Sequence, residues 1–291
     1  LFAFIFRLIE YCVRVNRGAA RFKADRAPNF KILITFTNSF FCFCCIFIST
    51  EGLARSTQIY TIGETAVFAV YEPNISREEL EDEVQALGID CSPGFVKKIF
   101  QMNRSVGVAY RSWRPLQGFA RQASEGCHYK NQRLGIAVFG GGRRSYQKEY
   151  LLFGGSQSFE IYFKKIENHE NYHGWQDQNS TYLKAVDSLG EDKIIAAETV
   201  AEVAAVLELL VDLEDDSLSF LKNQIKVREN QSKSGSFRSQ YDNLHKYLSR
   251  LLVEIEDGGG LSPFLEIRKL NQLERMNFYG LLALQLWKSG Q

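Results

Sequence analysis

SFEIYFKKIENHENYHGW, residues 158–175, is the stretch whose reading decides how this chain folds. In its first half Phe159, Ile161 and Phe163 alternate with Glu160, Tyr162 and Lys164. A period of two predicts a β-strand over Ser158–Ile166. The second half is polar as far as Asn179, with Asn168, Asn171 and Gly174 all poor helix formers, and it reads as a loop. On this reading strands come before the stretch and helices after it. The expected fold is α+β: an N-terminal mixed α/β portion with a small, mainly antiparallel sheet, followed by a C-terminal helical portion.

Upstream, Gln58–Tyr71 is rich in β-branched and aromatic residues and breaks at Gly63-Glu64, which predicts a hairpin or two short strands. Ser76 with Glu79 three residues on is a capping box, opening an acidic helix that ends at Gly88. Ser92-Pro93 opens a second helix with Phe95, Ile99 and Met102 on one side. Val106–Tyr110, Leu134–Phe139 and Tyr146–Phe153 are further strand candidates.

Downstream, helices are predicted over Ser180–Leu189, Glu198–Leu213 and from Asp215 or Asp216 to about Glu229. A Ser/Lys/Gly linker at Gln231–Ser236 precedes an amphipathic helix from Phe237 to Ile255, which stops at Gly258-Gly259-Gly260. Ser262-Pro263 starts a final helix reaching Trp287, whose apolar end could dock a second subunit. The resulting division is an apolar and basic segment at 1–53, an α/β domain at 54–175 with a basic aromatic face, and a helical domain at 176–291.

Residues 1–53 admit three readings. Ile32–Ile48 is marginal as a membrane span, which needs about 20 apolar residues, so a membrane partner is expected only if residues 32–48 are translated and inserted. As a targeting signal, the basic region is long and Ser49-Thr50-Glu51-Gly52 is a poor cleavage site. The reading taken is that the segment is untranslated upstream sequence and that the native protein begins near Leu53. Four of the six cysteines lie in this segment, leaving Cys91 and Cys127 beyond it. Two isolated cysteines without a CxxC pair suggest neither a disulfide framework nor structural zinc, so a reducing, cytoplasmic setting is the default unless the N-terminal segment is a targeting sequence.

Charge is distributed unevenly. Between Lys97 and Lys148 lie eleven Lys and Arg against one acid, Glu125, although the whole chain carries 35 bases and 34 acids. Burying so many unpaired cations would cost several kcal/mol each, so they belong on a solvated face, against acids, or against a polyanion. Aromatic residues are interleaved, and Arg111 and Arg114 flank Trp113. Lys and Arg neutralise phosphates while aromatic faces stack on unpaired bases. The first functional expectation is therefore a non-enzymatic nucleic-acid-binding protein, RNA or single-stranded DNA. Its contacts would be Lys97, Lys98, Arg104, Arg111, Arg114, Arg121, Arg143 and Arg144, with Tyr110 and Trp113 stacking. No cofactor is expected on this reading. A third class is a structural assembly protein, a homo-oligomer joined through acidic and basic segments.

The second expectation comes from His169-Glu170-Asn171-Tyr172-His173, which fits HExxH. On a helix two histidines four residues apart can share one Zn²⁺, with the intervening Glu as general base. The pentapeptide resembles the signature of the zincin metallopeptidases. That resemblance implies a zinc cofactor on His169 and His173, Glu170 as the catalytic base, and a substrate laid along an edge strand at Ser158–Ile166. A third ligand would come from the following helices, Glu198 or Glu202 being best placed. The longer metzincin pattern is absent, since Gln176 and Asn179 stand where it calls for Gly and His.

Overall fold

The computed structural model describes most of residues 57–289; residues 1–56, 102–107, 112–126, 235–243 and 258–265, with shorter breaks elsewhere, lie outside the description. Ser56–Gln291 forms one compact unit. Its fold is α+β. Strands β1 (Thr57–Ile62), β2 (Thr65–Val70), β3 (Ile89–Cys91), β4 (Val108–Arg111), β5 (Cys127–Tyr129) and β6 (Gln132–Phe139) come first. The helices α1 (Arg77–Ala86), α2 (Phe159–Gln176), α3 (Ser180–Val186), α4 (Lys193–Asp212), α5 (Ser217–Lys233), α6 (Leu244–Asp257) and α7 (Gln272–Ser289) complete the labelled elements.

The sheet runs β1-β2-β6-β5-β3, with β4 also paired to β6. The β2–β6 pair is parallel and the others are antiparallel. The expected hairpin at Gln58–Tyr71 forms around Gly63, whose φ of 58° suits glycine in the turn. Ser76 and Glu79 complete the capping box of α1.

Residues of β2 are covered on both faces. Ala66, Phe68 and Val70 join Leu134, Ile136 and Val138 of β6 on one side, under Leu80 and Val84 of α1 and Val96 and Ile99 of the next helical turns. The opposite face carries Val67, Ala69 and Ala137, small enough for a helix to lie close, and α2 lies there against β1, β4 and β6. Phe139 stacks on Tyr71 with centroids 4.9 Å apart, and Phe163 of α2 closes the aromatic group. The other side of α2 packs on α4, which in turn packs on α5 and α7. Helix α2 is thus a middle layer.

Two strand expectations are corrected. Ser158–Ile166 is the first half of α2: Ser158 caps it in extended conformation, accepting from the Ile161 amide, with Glu160 in the first turn. The alternation of Phe159, Ile161 and Phe163 arises because α2 is covered on both sides, so apolar residues are needed around the helix rather than on a single stripe. The polar continuation expected as a loop is the rest of the same helix, through Gln176. Tyr146–Phe153 is likewise helical, in a wide turn at Tyr146–Tyr150 and a tight one at Leu151–Phe153. There Tyr146, Tyr150 and Tyr162 form an aromatic cluster against Val227 of α5.

The last helix also begins later than expected. A short turn at Glu266–Lys269 precedes a reciprocal cap in which Asn271 and Glu274 bond each other's backbone amides, and α7 follows. The N-terminal segment 1–53 falls outside the described residues. Among the described residues no helix is long and apolar enough to cross a membrane.

Gly280 of α7 lies against the indole of Trp175, which donates from Nε1 to Asn277 at 2.7 Å. A Cβ at position 280 would meet that ring at 2.6–2.8 Å. Helix propensity alone would make Gly280→Ala stabilising by about 1 kcal/mol. Because the buried indole has no free direction to yield, we expect destabilisation of about 1–3 kcal/mol instead, measurable by urea unfolding.

Candidate metal centre

Helix α4 is the most apolar helix described, with thirteen buried residues among its twenty. Glu198 and Glu202 interrupt it four residues apart, so both project from one face. That face meets His169 and His173, also four residues apart on α2. The sequence therefore sets two imidazoles opposite two carboxylates.

Each ring has its Nδ1 committed. His169 Nδ1 lies 3.1 Å from Glu202 Oε2, and His173 Nδ1 lies 3.0 Å from Gln176 Oε1. The Gln176 amide is oriented by its own donation from Nε2 to the Ala197 carbonyl at 2.8 Å. Both partners of Nδ1 are acceptors, so in the neutral rings both Nδ1 atoms carry hydrogen and both Nε2 atoms present lone pairs. Those two Nε2 atoms are 3.0 Å apart. Two lone pairs at that distance repel unless a proton or a metal ion sits between them.

Glu198 straddles the gap, with Oε2 at 3.4 Å from His169 Nε2 and Oε1 at 3.6 Å from His173 Nε2. Around a tetrahedral zinc with bonds of about 2.0–2.1 Å, ligand atoms are separated by about 3.3 Å. The observed separations bracket that value, and His169, His173 and Glu198 can all offer an atom to one ion. Three protein ligands leave a fourth position for water or substrate, the arrangement of catalytic rather than structural zinc. The three side chains are partly buried, at 13%, 15% and 28% exposed.

Electrostatics favours positive charge here. Burial alone would depress His169, but the carboxylates of Glu198 and Glu202 outweigh it and hold the imidazole up at about 10. Burial raises and the histidines lower the Glu198 carboxyl, which ends well below the usual range. Glu202 is also driven well below, because Arg228, Lys165 and His169 together overcome its burial.

Glu202 is itself held from outside the ligand set. Lys165 Nζ donates to its Oε1 at 2.6 Å and Arg228 of α5 donates to the same oxygen. Arg228 is fixed in turn by Gln231, which donates to the Glu149 carbonyl. Glu170 is buried on α2, and its charge acts on both His169 and Tyr60 of β1. Tyr60 donates to Asn171 at 2.7 Å and Tyr71 to Glu167 at 2.9 Å, tying α2 to the sheet.

Lys165, Gln176 and Arg228 were not singled out by the sequence reading. Lys165 lies one turn before His169 and Gln176 one turn after His173's neighbour Tyr172, so helical spacing would have pointed to both. Nothing local in the sequence of α5 points to Arg228.

The basic segment is described only in part. Lys98, Arg104, Trp113, Arg114 and Arg121 lie outside the described residues, and Tyr110 and Arg111 are placed only as backbone in β4, opposite Ala137 and Ile136. Lys97, Arg143 and Arg144 are exposed, and Arg143 lies over the Phe159 ring at 4.4 Å. Comparison with protein-family models, curated proteins and solved structures finds no match for this chain.

Replacing Glu202 by Leu would strand Lys165 and Arg228 in the interior. We expect a loss of about 3–5 kcal/mol in folding stability, read by chemical denaturation.

Proposed function

We propose that this protein is a metal-dependent hydrolase, with zinc as the fitting ion and an amide or peptide bond as the scissile class. The observation that carries the reading is the pair of Nε2 atoms 3.0 Å apart, each with its Nδ1 tied to an acceptor and both faced by Glu198. A binding module has no need to fix both imidazole tautomers toward one point. A buried ion network that served only stability would not need the second histidine, since Glu202, Lys165 and Arg228 are paired among themselves.

In this reading His169, His173 and Glu198 hold the ion, which would polarise a carbonyl and lower the pKa of water. Glu202 and Gln176 keep the two rings aimed, the outer-shell role that commonly sets metal affinity. Glu170, adjacent to His169 in sequence and acting on its charge, is the candidate general base. The substrate platform inferred from Ser158–Ile166 as a strand is withdrawn, because those residues are helical. Purified protein should carry about one zinc per chain by elemental analysis. His169→Ala and His173→Ala should each abolish it, while Glu170→Gln should keep the metal and lower turnover of a peptide library by about 10²–10⁴-fold. Absence of metal in wild-type protein, even after dialysis against zinc, would end this reading.

The nucleic-acid reading keeps one favourable observation: Lys97 and Arg144 are exposed and make no ion pair among the described residues. Phosphate contacts by the basic segment would give binding to single-stranded RNA or DNA that weakens steeply with salt. Fluorescence anisotropy across a salt series should then show Arg143→Ala/Arg144→Ala reducing both affinity and salt slope. Unchanged binding, or none, would remove it. Self-association through acidic and basic segments would instead appear as a salt-dependent elution volume in size-exclusion chromatography.

A further inference from the structure

Only two cysteines lie between residues 57 and 291, and the fold sets them directly opposite each other. β3 and β5 run antiparallel with Ile89 facing Tyr129, Asp90 facing His128 and Cys91 facing Cys127. Opposed Cα atoms in an antiparallel pair are about 4.5 or 5.5 Å apart, depending on whether the pair exchanges backbone hydrogen bonds. A disulfide accepts Cα separations of about 4.4–6.8 Å, so either kind of pair falls within its range. The sequence reading treated these cysteines as isolated, with no CxxC pair; register across 35 intervening residues, not spacing, brings them together.

We propose that Cys91 and Cys127 form a cross-strand disulfide when the protein meets a disulfide oxidant of the glutathione type. The thiolate of one cysteine attacks the oxidant's S–S bond, forming a mixed disulfide and releasing one small thiol. The other cysteine, as its thiolate, then attacks the protein-bound sulfur, closing the Cys91–Cys127 bond and releasing the second small thiol. Two protein thiols are oxidised and one small disulfide is reduced to two thiols.

The bond would sit where the chain leaves β3 and where it returns to β5, closing residues 92–126 into a loop. That loop includes β4, which pairs with β6 and packs on the histidine-bearing helix α2. Closing it reduces the freedom of the unfolded chain more than that of the folded one, which stabilises the fold. The inference is independent of the metal reading, since neither cysteine belongs to the proposed ligand set.

The test uses full-length protein treated with excess oxidised glutathione, then alkylated and digested without reductant. We expect a linked peptide joining Cys91 to Cys127, reverted by dithiothreitol, and a Tm higher in the oxidised form by on the order of 10 °C. Cys91→Ser and Cys127→Ser should each remove both the linked peptide and the Tm difference. The proposal is overturned if both thiols remain alkylatable, if glutathione adducts persist on them without the cross-link, or if either cysteine joins one of the four N-terminal cysteines instead. A cross-link that leaves Tm unchanged overturns the stapling role.

Discussion

Two imidazole nitrogens 3.0 Å apart and both faced by Glu198 call for a proton or a cation between them in the middle of this fold. The surrounding layers can be traced outward from that constraint. The rings come close because they sit one turn apart on α2, and Glu198 and Glu202 reach them because α4, built of Ala, Val and Leu around the two glutamates, packs directly on that helix. Helix α2 is held from the other side by a sheet face of small residues and by the Tyr60 and Tyr71 hydroxyls. Loosening the α2–α4 contact would separate His169 from Glu202 and both histidines from Glu198.

Much of the frame was legible in the sequence because it rests on short-range chemistry. The Ser76/Glu79 capping box, the Gly63 hairpin, the run of helices after residue 180 and the α+β class all follow from local rules, and the structure bears them out. The central error came at Ser158–Ile166, where alternation of Phe159, Ile161 and Phe163 resembled a half-exposed strand. A helix buried on two sides loses the single stripe that helical periodicity depends on, and the remaining pattern can mimic a period of two. The Ser158 cap and the i, i+4 histidine pair were the competing local signals. They outrank the alternation because a cap states where a helix begins, whereas alternation over so short a run can arise by chance.

The same misreading hid the relation between the site residues. The HExxH spacing already pointed to Glu198 or Glu202 as a third ligand, but only with HENYH on α2 does their four-residue spacing match that of the histidines on a facing helix. Arg228 stayed invisible for a different reason. It reaches Glu202 from α5 through tertiary packing, and no periodicity within α5 marks one arginine among its polar residues.

Burying Lys165, Glu202 and Arg228 together is an expensive way to join three helices. Apolar residues of similar volume commonly give equal or greater stability than a buried ionic group. What apolar residues cannot do is fix the hydrogen on His169 Nδ1. The two cations occupy Oε1 of Glu202, which leaves Oε2 as the acceptor for the imidazole and keeps the carboxyl ionised despite its burial. A carboxylate without that clamp could rotate away or take up a proton, and His169 would then be free to turn its Nε2 from the gap. The clamp makes sense as a device for aiming a ring, and the ring it aims shares its target with His173 and Glu198. On that physical ground the polar interior of the α2–α4–α5 contact is part of the proposed site rather than of the scaffold alone.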